Sequence, residues 1–169
     1  QEGTYPLPEA QSDRFFFKLL VGYSDRRELA TVLERTTQRQ QAEASKVMDG
    51  EEILRWQALV REVILAPHVR DYVVRLVLAT HPEGPFAEPA TNQSIRFGAS
   101  PRGGQALVLS AKVRALLDGR YNVSFEDVRR VYLPAMRHRI LLNFEAQAEG
   151  IEPDRVLLDL LKKVPEKAG

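Results

Sequence analysis

Apolar residues recur at helical spacing along most of this chain, and the pattern predicts a mainly α-helical fold. One segment matches the i, i+3, i+4, i+7, i+8 spacing of a helix with one buried face throughout, through Val69, Tyr72, Val73, Leu76 and Val77. Shorter matches predict further helices around Leu29, Val32 and Leu33, around Ile53, Trp56, Val60, Val63 and Ile64, around Leu109, Val113, Leu116 and Leu117, around Val128, Val131 and Tyr132, and around Val156, Leu157, Leu160 and Leu161.

Residues that favour the first turn of a helix precede most of these segments. Asp25 and Ser100 have side chains that cap a helix, and a proline suits the first helical position because it has no N–H to lose. Ser124 and Asp127 form a variant of the capping box, with Asp in place of the usual Glu. The predicted starts are Asp25, Pro67, Ser100-Pro101, Ser124 and Pro153, and Gly119 is predicted to end the helix that begins at Ser100.

A single segment predicts a β-strand. Residues 15–21 are aromatic-rich and apolar except for Lys18, which is typical of a strand buried on both faces. No second segment of this type follows, and one strand does not make a sheet. We therefore expect its partner strands in a part of the protein outside this chain, with a turn or two of helix over residues 9–14.

Two other segments are less regular. Residues 80–99 form a long connection rich in proline and glycine, which is typical of a functional or disordered loop. Residues 139–145 fit a strand or an extended connection equally well.

Composition restricts the classes of function. The chain has 169 residues, of which 44% are apolar and 28% charged, as in a globular domain. Its net charge of +1 gives no field that attracts nucleic acid, and no apolar run approaches the roughly 20 residues of a membrane span. It has no cysteine and only three scattered histidines, so no metal site is expected. We expect a cytoplasmic protein.

Two arginines are the candidates for chemistry. Arg102 follows Ser100-Pro101 in the first turn of a predicted helix, where backbone N–H groups and the helix dipole favour an anion. Arg14 precedes the predicted strand, from which it could reach the phosphate of a neighbouring molecule. Each also fits an ordinary surface charge, Arg14 as the ion-pair partner of Asp13.

A third basic cluster combines Arg137, His138 and Arg139 with Arg129 and Arg130. It fits cations near the end of a helix better than a nucleic-acid site, since aromatic residues do not alternate with it. The chain contains no G-x-x-x-x-G-K-[ST] motif to bind phosphates.

Taken together, these motifs resemble MoxR-type AAA+ ATPases. Residues 1–11 followed by Asp13-Arg14-Phe15 resemble the segment after the sensor-1 strand, and residues 98–103 resemble the sensor-2 motif. Gly119-Arg120, Val123, Asp127-Val128 and His138-Arg139 resemble the helical lid, in the family's order.

The resemblance implies a fold and roles for particular residues. Residues 1–23 would be the C-terminal remnant of the α/β nucleotide-binding core, and residues 24–169 a helical-bundle lid domain. Arg14 would be the arginine finger that acts on ATP in the adjacent subunit, and Arg102 the sensor-2 arginine. Ser100, Pro101 and Gly103 would lie with Arg102 at the nucleotide, while the Walker A, Walker B and sensor-1 residues would precede Gln1.

The resemblance also implies cofactors and partners. The parent protein would bind ATP and Mg²⁺, assemble as a homo-hexamer, and remodel or mature client proteins, often with von Willebrand factor A-domain proteins. The present chain alone would be inactive. The alternative is a helical protein-interaction module of AAA+ ancestry without nucleotide chemistry.

Two positions depart from the family's pattern. Ser12 replaces a usual apolar residue, and His81 follows Thr80 where an arginine is usual. The loop over residues 83–94 is variable in such proteins.

Overall fold

The computed structural model describes residues 8–38 and 44–167, and within them the fold is mainly helical, as predicted. The elements in chain order are α1 (Glu9–Ser12), α2 (Arg26–Thr37), α3 (Gly50–Glu62), α4 (Pro67–Leu78), α5 (Pro89–Ser94), β1 (Ile95–Phe97), α6 (Pro101–Leu117), α7 (Phe125–Met136), β2 (Leu141–Leu142), α8 (Phe144–Ala148) and α9 (Pro153–Lys163).

The core lies between α4, α6, α7 and α9. Small residues on α6 allow α7 to approach closely, because alanine side chains keep the two backbones near each other. Around them pack large side chains from the other helices, including Tyr72 and Leu76 of α4 and Leu157 of α9, each almost fully buried. The buried core residues of α6 and α7 are Ala106, Leu107, Ala111, Ala115, Val128, Val131, Tyr132, Ala135 and Met136.

The predicted helix starts are confirmed. Asp25 caps α2, Ser100 caps α6, and Pro67 and Pro153 occupy the first turns of α4 and α9. Gly119 lies just after the end of α6 and has a φ of 71°, a left-handed conformation that glycine adopts without strain.

The capping box of α7 is confirmed, and it extends into a buried ion pair. Ser124 and Asp127 exchange the two hydrogen bonds of the box. The Asp127 carboxylate, which is 2% exposed, also accepts two hydrogen bonds from the Arg120 guanidinium, at 2.8 and 2.7 Å. Arg120 follows the end of α6, so this pair fixes the connection between α6 and α7.

Helices α2 and α3 form as the spacing predicts, but neither has a buried residue. Most of their large apolar side chains, including those of Leu33, Ile53 and Trp56, are exposed, while Leu59 and Val60 at the end of α3 are half-buried. Periodicity therefore correctly identified helices with an apolar face, but the described residues cover only part of that face.

The segment over residues 15–21 pairs with no other strand in the described part of the chain, as expected from a sequence whose partner strands lie elsewhere. The expected burial on both faces is wrong for this structure, because its apolar side chains are exposed. The physical reason is that no neighbouring strand or second layer covers an isolated segment. Its backbone bonds instead to the end of α7, where the Lys18 N–H donates to the Pro134 carbonyl at 2.9 Å.

The two irregular segments meet in a small sheet. Residues 80–99 contain α5 and β1 rather than one long loop, and residues 139–145 contain β2. Strands β1 and β2 pair antiparallel, with Ile95 opposite Leu142 and Phe97 opposite Leu141. Both strands are too short for a clear alternation of apolar and polar residues, which explains why the pattern did not predict them.

None of the helices in the described ranges is long and apolar enough to cross a membrane.

The Asp127 carboxylate should make the stability of the protein depend on pH. Burial raises its pKa, but hydrogen bonds from Arg120 and Ser124 outweigh burial and hold the pKa at about 2. Because the folded pKa lies below that of an unfolded aspartate, the ionised group contributes about 2 kcal/mol above pH ~4, and this contribution is lost as the pH falls towards 2.

We therefore expect Asp127→Asn to lower the free energy of unfolding by about 2 kcal/mol at pH 7, measured by urea denaturation, with the difference from wild type closing between pH 4 and 2. Glu126→Gln is the matched control, because it removes an exposed carboxylate from the same helix turn. It should have a much smaller effect. Equal losses for the two variants would contradict a special contribution from the buried pair.

Candidate functional site

The two predicted arginine motifs lie close together at the N-terminus of α6, where the carboxylate of Asp13 joins them. Asp13 follows α1 directly, and its carboxylate accepts hydrogen bonds from the Ser100 hydroxyl at 2.9 and 3.1 Å. It also accepts one from the Arg102 guanidinium at 3.3 Å, and it lies 3.3 Å from Nε of Arg139. The side chain of Asp13 thus connects the loop that carries Arg14 to the start of α6 and to the segment after α7.

The loop around Arg14 is a tight turn. The Arg14 and Phe15 N–H groups donate to the carbonyls of Gln11 and Ser12, at 3.2 and 3.1 Å. These hydrogen bonds close the turn that directly follows α1. The Arg14 side chain is exposed, and none of the side chains that the structure describes forms an ion pair with it. Arg14 is therefore not the partner of Asp13, which pairs with Arg102 and Arg139 instead.

Arg139 anchors the loop around Arg14 to the residues after α7. Its side chain is 3% exposed, and its guanidinium donates to the backbone carbonyls of Asp13 and Phe15 at 3.1 and 2.7 Å. It donates further to the carbonyls of Phe16 and Ala135. A buried guanidinium is costly unless its donors are satisfied. Here backbone carbonyls satisfy the two terminal nitrogens, whereas Nε faces the Asp13 carboxylate at 3.3 Å without forming a hydrogen bond.

The neighbouring residues bind the next part of the same segment. His138 Nε2 lies 2.9 Å from the Phe15 carbonyl, and Arg137 donates to the Lys18 carbonyl at 3.1 Å. Residues 13–18 are therefore fixed to the residues after α7 mainly through their backbone, which leaves their side chains free to face outward.

The start of α6 differs from the expectation of free N–H groups for an anion. Pro101 has no N–H, the Arg102 N–H donates to the Ser100 hydroxyl at 3.2 Å, and the Gly103 N–H donates to the Ser100 carbonyl at 2.9 Å. The donors of the first turn are thus already paired. Among residues 100–103, the donor that remains accessible to a phosphate is the guanidinium of Arg102, whose side chain is 55% exposed.

Gly103 has a structural reason for being glycine. A methyl group there would lie 3.1 Å from Sδ of Met136 and 3.3 Å from Cδ of Arg139. The Met136 and Arg139 side chains would have to shift by a few tenths of an ångström to admit it.

Thr80 and His81 fix the segment that leads into α6. The Thr80 hydroxyl accepts a hydrogen bond from the Ala99 N–H at 2.9 Å, and His81 Nε2 lies 2.8 Å from the Ala99 carbonyl. Gly98 lies against both residues, since a Cβ there would be 2.2 Å from the His81 ring and 2.6 Å from the Thr80 carbonyl oxygen. His81 therefore orients the α6 start in this chain.

The cluster of basic residues around α7 is neutralised within the chain. Arg137 pairs with Asp154 through two hydrogen bonds of 2.9 Å, and Arg129 and Arg130 pair with Glu126. These contacts leave little unpaired positive charge for nucleic acid. The result agrees with the interpretation of this cluster as cations around a helix end.

Burial determines the electrostatics of the two deepest groups. It lowers the pKa of the Arg139 guanidinium, although the negative charge of Asp13 opposes the shift. Burial also lowers the pKa of His138, against the hydrogen bond with the Phe15 carbonyl, and the positive charge of Arg139 adds to the decrease. His138 is therefore biased towards the neutral form.

Sequence patterns placed Arg102 and Ser100 correctly at a helix start, but they did not identify Asp13 or Arg139 as parts of one cluster. Arg139 is 126 residues from Asp13 along the chain, and the sequence places it only among cations near the end of a helix. Its position next to an otherwise apolar stretch, Ile140 to Leu142, was the one available signal that it is buried.

Residues 87–160 match the AAA lid domain family. The chain is 35% identical over 163 residues to the protein named chaperone MoxR1 of Mycobacterium tuberculosis, covering 96% of this chain and 43% of that protein. It is 32% identical over 172 residues to the protein named MoxR of Methylorubrum extorquens, covering 92% and 49%. The chain thus spans about half the length of these curated relatives.

The fold has a close counterpart among solved structures. A crystal structure of a proposed ATPase from Cytophaga hutchinsonii superimposes with a TM-score of 0.90 at 34% sequence identity. The match covers 98% of this chain and 50% of the other. The arrangement of helices and of the segment before α2 is therefore shared with a protein about twice as long.

Arg139→Met should release residues 13–18 from the end of α7. The substitution keeps much of the side-chain volume but removes the donors to the Asp13, Phe15 and Phe16 carbonyls, and it leaves Asp13 without its buried partner. We expect the free energy of unfolding to fall by about 3 kcal/mol, and trypsin to cleave faster after Arg14 and Lys18, as measured by mass spectrometry.

Arg130→Met is the matched control, because it removes an arginine from the same region whose pair with Glu126 is exposed. It should change neither quantity appreciably. Unchanged cleavage after Lys18 in the Arg139 variant would show that this guanidinium does not hold the segment.

Proposed function

We propose that this chain, which is similar to MoxR proteins over most of its length, is the lid-bearing part of a MoxR-type AAA+ ATPase that uses ATP hydrolysis to remodel or mature client proteins. The observation that best supports this proposal is the position of Arg14. Its guanidinium is exposed, whereas the backbone on either side of it is fixed by Arg139 and by the turn after α1. Such an arrangement suits an arginine that must meet a phosphate on another molecule with little loss of conformational freedom.

In this proposal, Arg14 is the arginine finger. It would enter the nucleotide site of the adjacent subunit and stabilise the charge that develops on the γ-phosphate during hydrolysis. Arginine suits the role since it stays charged and its planar group binds two phosphate oxygens at once.

Arg102 is the proposed sensor-2 residue, at the start of α6 with Ser100, Pro101 and Gly103. Its guanidinium would bind the phosphates of ATP, while Ser100 caps the helix and Gly103 lets α6 lie close to α7. ATP and Mg²⁺ would be held mainly by a phosphate-binding loop, which the 169 residues do not contain. Residues 1–23 would belong to the nucleotide-binding core, and residues 24–169 would form the lid.

The exposed apolar side chains of residues 15–21 fit this division. In a nucleotide-binding core the segment would gain neighbouring strands and be covered, which would restore the buried strand that its composition favours. We further propose a homo-hexameric ring, with von Willebrand factor A-domain proteins or other clients as partners, on the strength of the family relationship alone.

The isolated chain should not hydrolyse ATP above background, because it has no phosphate-binding loop. The measurement is release of inorganic phosphate by purified chain at micromolar concentration with Mg²⁺ and ATP. Turnover that survives repeated purification and follows the chain through gel filtration would contradict this part of the proposal.

Arg14→Ala, in the protein that includes the nucleotide-binding core, should leave ATP binding nearly intact and reduce turnover by about a thousandfold or more. Arg27→Ala is the matched control, an exposed arginine on α2 that should leave turnover unchanged. Steady-state kinetics and binding of a fluorescent ATP analogue measure the two properties separately.

A mixing experiment tests whether Arg14 acts between subunits. Arg14→Ala subunits keep their own nucleotide site, and subunits with a disabled phosphate-binding loop keep their arginine. Mixed rings should therefore recover part of the activity that each variant lacks alone. No recovery, in rings shown by native mass spectrometry to contain both variants, would exclude a finger that acts on the neighbouring subunit.

A further inference from the structure

Asp13 binds two arginines of different character. Arg139 is 3% exposed and donates to four backbone carbonyls besides facing the carboxylate, so its position is fixed by the fold. Arg102 is 55% exposed and reaches the carboxylate through a single contact of 3.3 Å. The contact with Arg102 is therefore the weaker of the two and the one that can be exchanged.

The strength of a competing ligand decides whether the exchange occurs. An exposed ion pair contributes about 1 kcal/mol or less, because solvent screens it and both side chains must be ordered. A phosphate offers the same guanidinium a bidentate, charge-assisted contact with more negative charge. A nucleotide phosphate within reach of Arg102 would therefore displace Asp13, whereas it would not displace Asp13 from Arg139.

We propose that Asp13 is a positioning residue that exchanges Arg102 with the nucleotide and thereby couples occupancy of the site at α6 to the placement of Arg14. This inference rests on the proposed roles of Arg102 and Arg14. Without nucleotide, Asp13 holds Arg102 and ties the loop to the start of α6. With nucleotide, Arg102 leaves for the phosphate, and Asp13 keeps its contacts with Arg139 and with the Ser100 hydroxyl.

The connection to Arg14 is short and covalent. Arg14 follows Asp13 directly, and both lie in the turn that the Gln11 and Ser12 carbonyls close. A change in the contacts of the Asp13 carboxylate acts on the same turn that aims Arg14 outward. The site that binds a nucleotide through Arg102 and the arginine offered to the neighbouring subunit are thus joined through one side chain.

Asp13→Asn, in the protein that includes the nucleotide-binding core, tests the exchange. The amide keeps an acceptor for Ser100 but loses the charge that competes for Arg102. We expect ATP to bind about two- to fivefold more tightly, as the loss of an exposed ion pair allows, while kcat falls about tenfold to a hundredfold because Arg14 is less well placed.

A rise in ATP affinity together with a fall in kcat distinguishes a positioning role from a general loss of structure, which would lower both the affinity and kcat. The gain in affinity should also disappear in an Arg102→Ala background, since no arginine is then left to release. Asp159→Asn, on α9, is the matched control and should leave both quantities unchanged. An Asp13→Asn variant with unchanged or weaker ATP binding would overturn the proposal.

A measurement on the wild-type protein keeps the test independent of how the variant folds. Structures of the protein with its core, determined without nucleotide and with a non-hydrolysable ATP analogue, should differ at one contact. Arg102 should lie on Asp13 in the first and on phosphate in the second, with Arg139 on Asp13 in both. Arg102 still paired with Asp13 when the analogue is bound would refute the exchange.

The proposed function and the proposed exchange at Asp13 fail in distinguishable ways. If Arg14→Ala and Arg102→Ala leave turnover unchanged, the finger and sensor roles are wrong, and the exchange that rests on them is wrong as well. If both variants are impaired while Asp13→Asn matches wild type in affinity and kcat, only the role of Asp13 is wrong.

Discussion

The buried guanidinium of Arg139 is the contact on which the candidate site depends. Buried N–H donors are costly when they are left unpaired, and α7 supplies one of the acceptors, the Ala135 carbonyl. The other three acceptors are backbone carbonyls of residues 13–16, which lie far away in sequence, and the Asp13 carboxylate faces Nε without a hydrogen bond. The need to satisfy one charge thus brings the N-terminal segment against the helical bundle at a defined point.

The helical bundle provides the rigid part of this arrangement. Helices α6 and α7 pack closely through small residues, the Arg120–Asp127 pair fixes their connection, and Thr80 and His81 orient the segment before α6. The start of α6 and the end of α7 are consequently held relative to each other, so Asp13 can contact both. Arg102 and Arg14 are exposed at this point of the structure.

Local patterns predicted the helices and their starts because the signals lie within a few residues. The Ser124 to Asp127 box, the prolines at first turns and the spacing around Tyr72 each specify their structure without help from the rest of the chain. The spacing also predicted the mainly helical fold, which the capped helices confirm. The resemblance to MoxR-type AAA+ proteins followed from motifs in order, and the AAA lid match over residues 87–160 and the similarity to MoxR proteins support it.

Features that depend on distant partners were not accessible in the same way. Residues 15–21 have the composition of a buried strand, yet a strand requires neighbours, and the backbone here bonds to the end of α7 instead. The sequence predicts Arg139 only as a cation near the end of a helix, since nothing near it in sequence shows that the Asp13 loop covers it. The short strands β1 and β2 exist only because they pair with each other.

The packing of Gly98 against Thr80 and His81 has a consequence for natural variation. A side chain at position 98 would meet the His81 ring, which a smaller residue at position 81 could relieve, but it would also meet the Thr80 carbonyl oxygen at 2.6 Å, which no change of side chain removes. The side chain at position 81 can therefore change without affecting the contact of position 98 with the backbone. Position 98 has no such freedom, so lineages that diverge at 81 should retain glycine at 98.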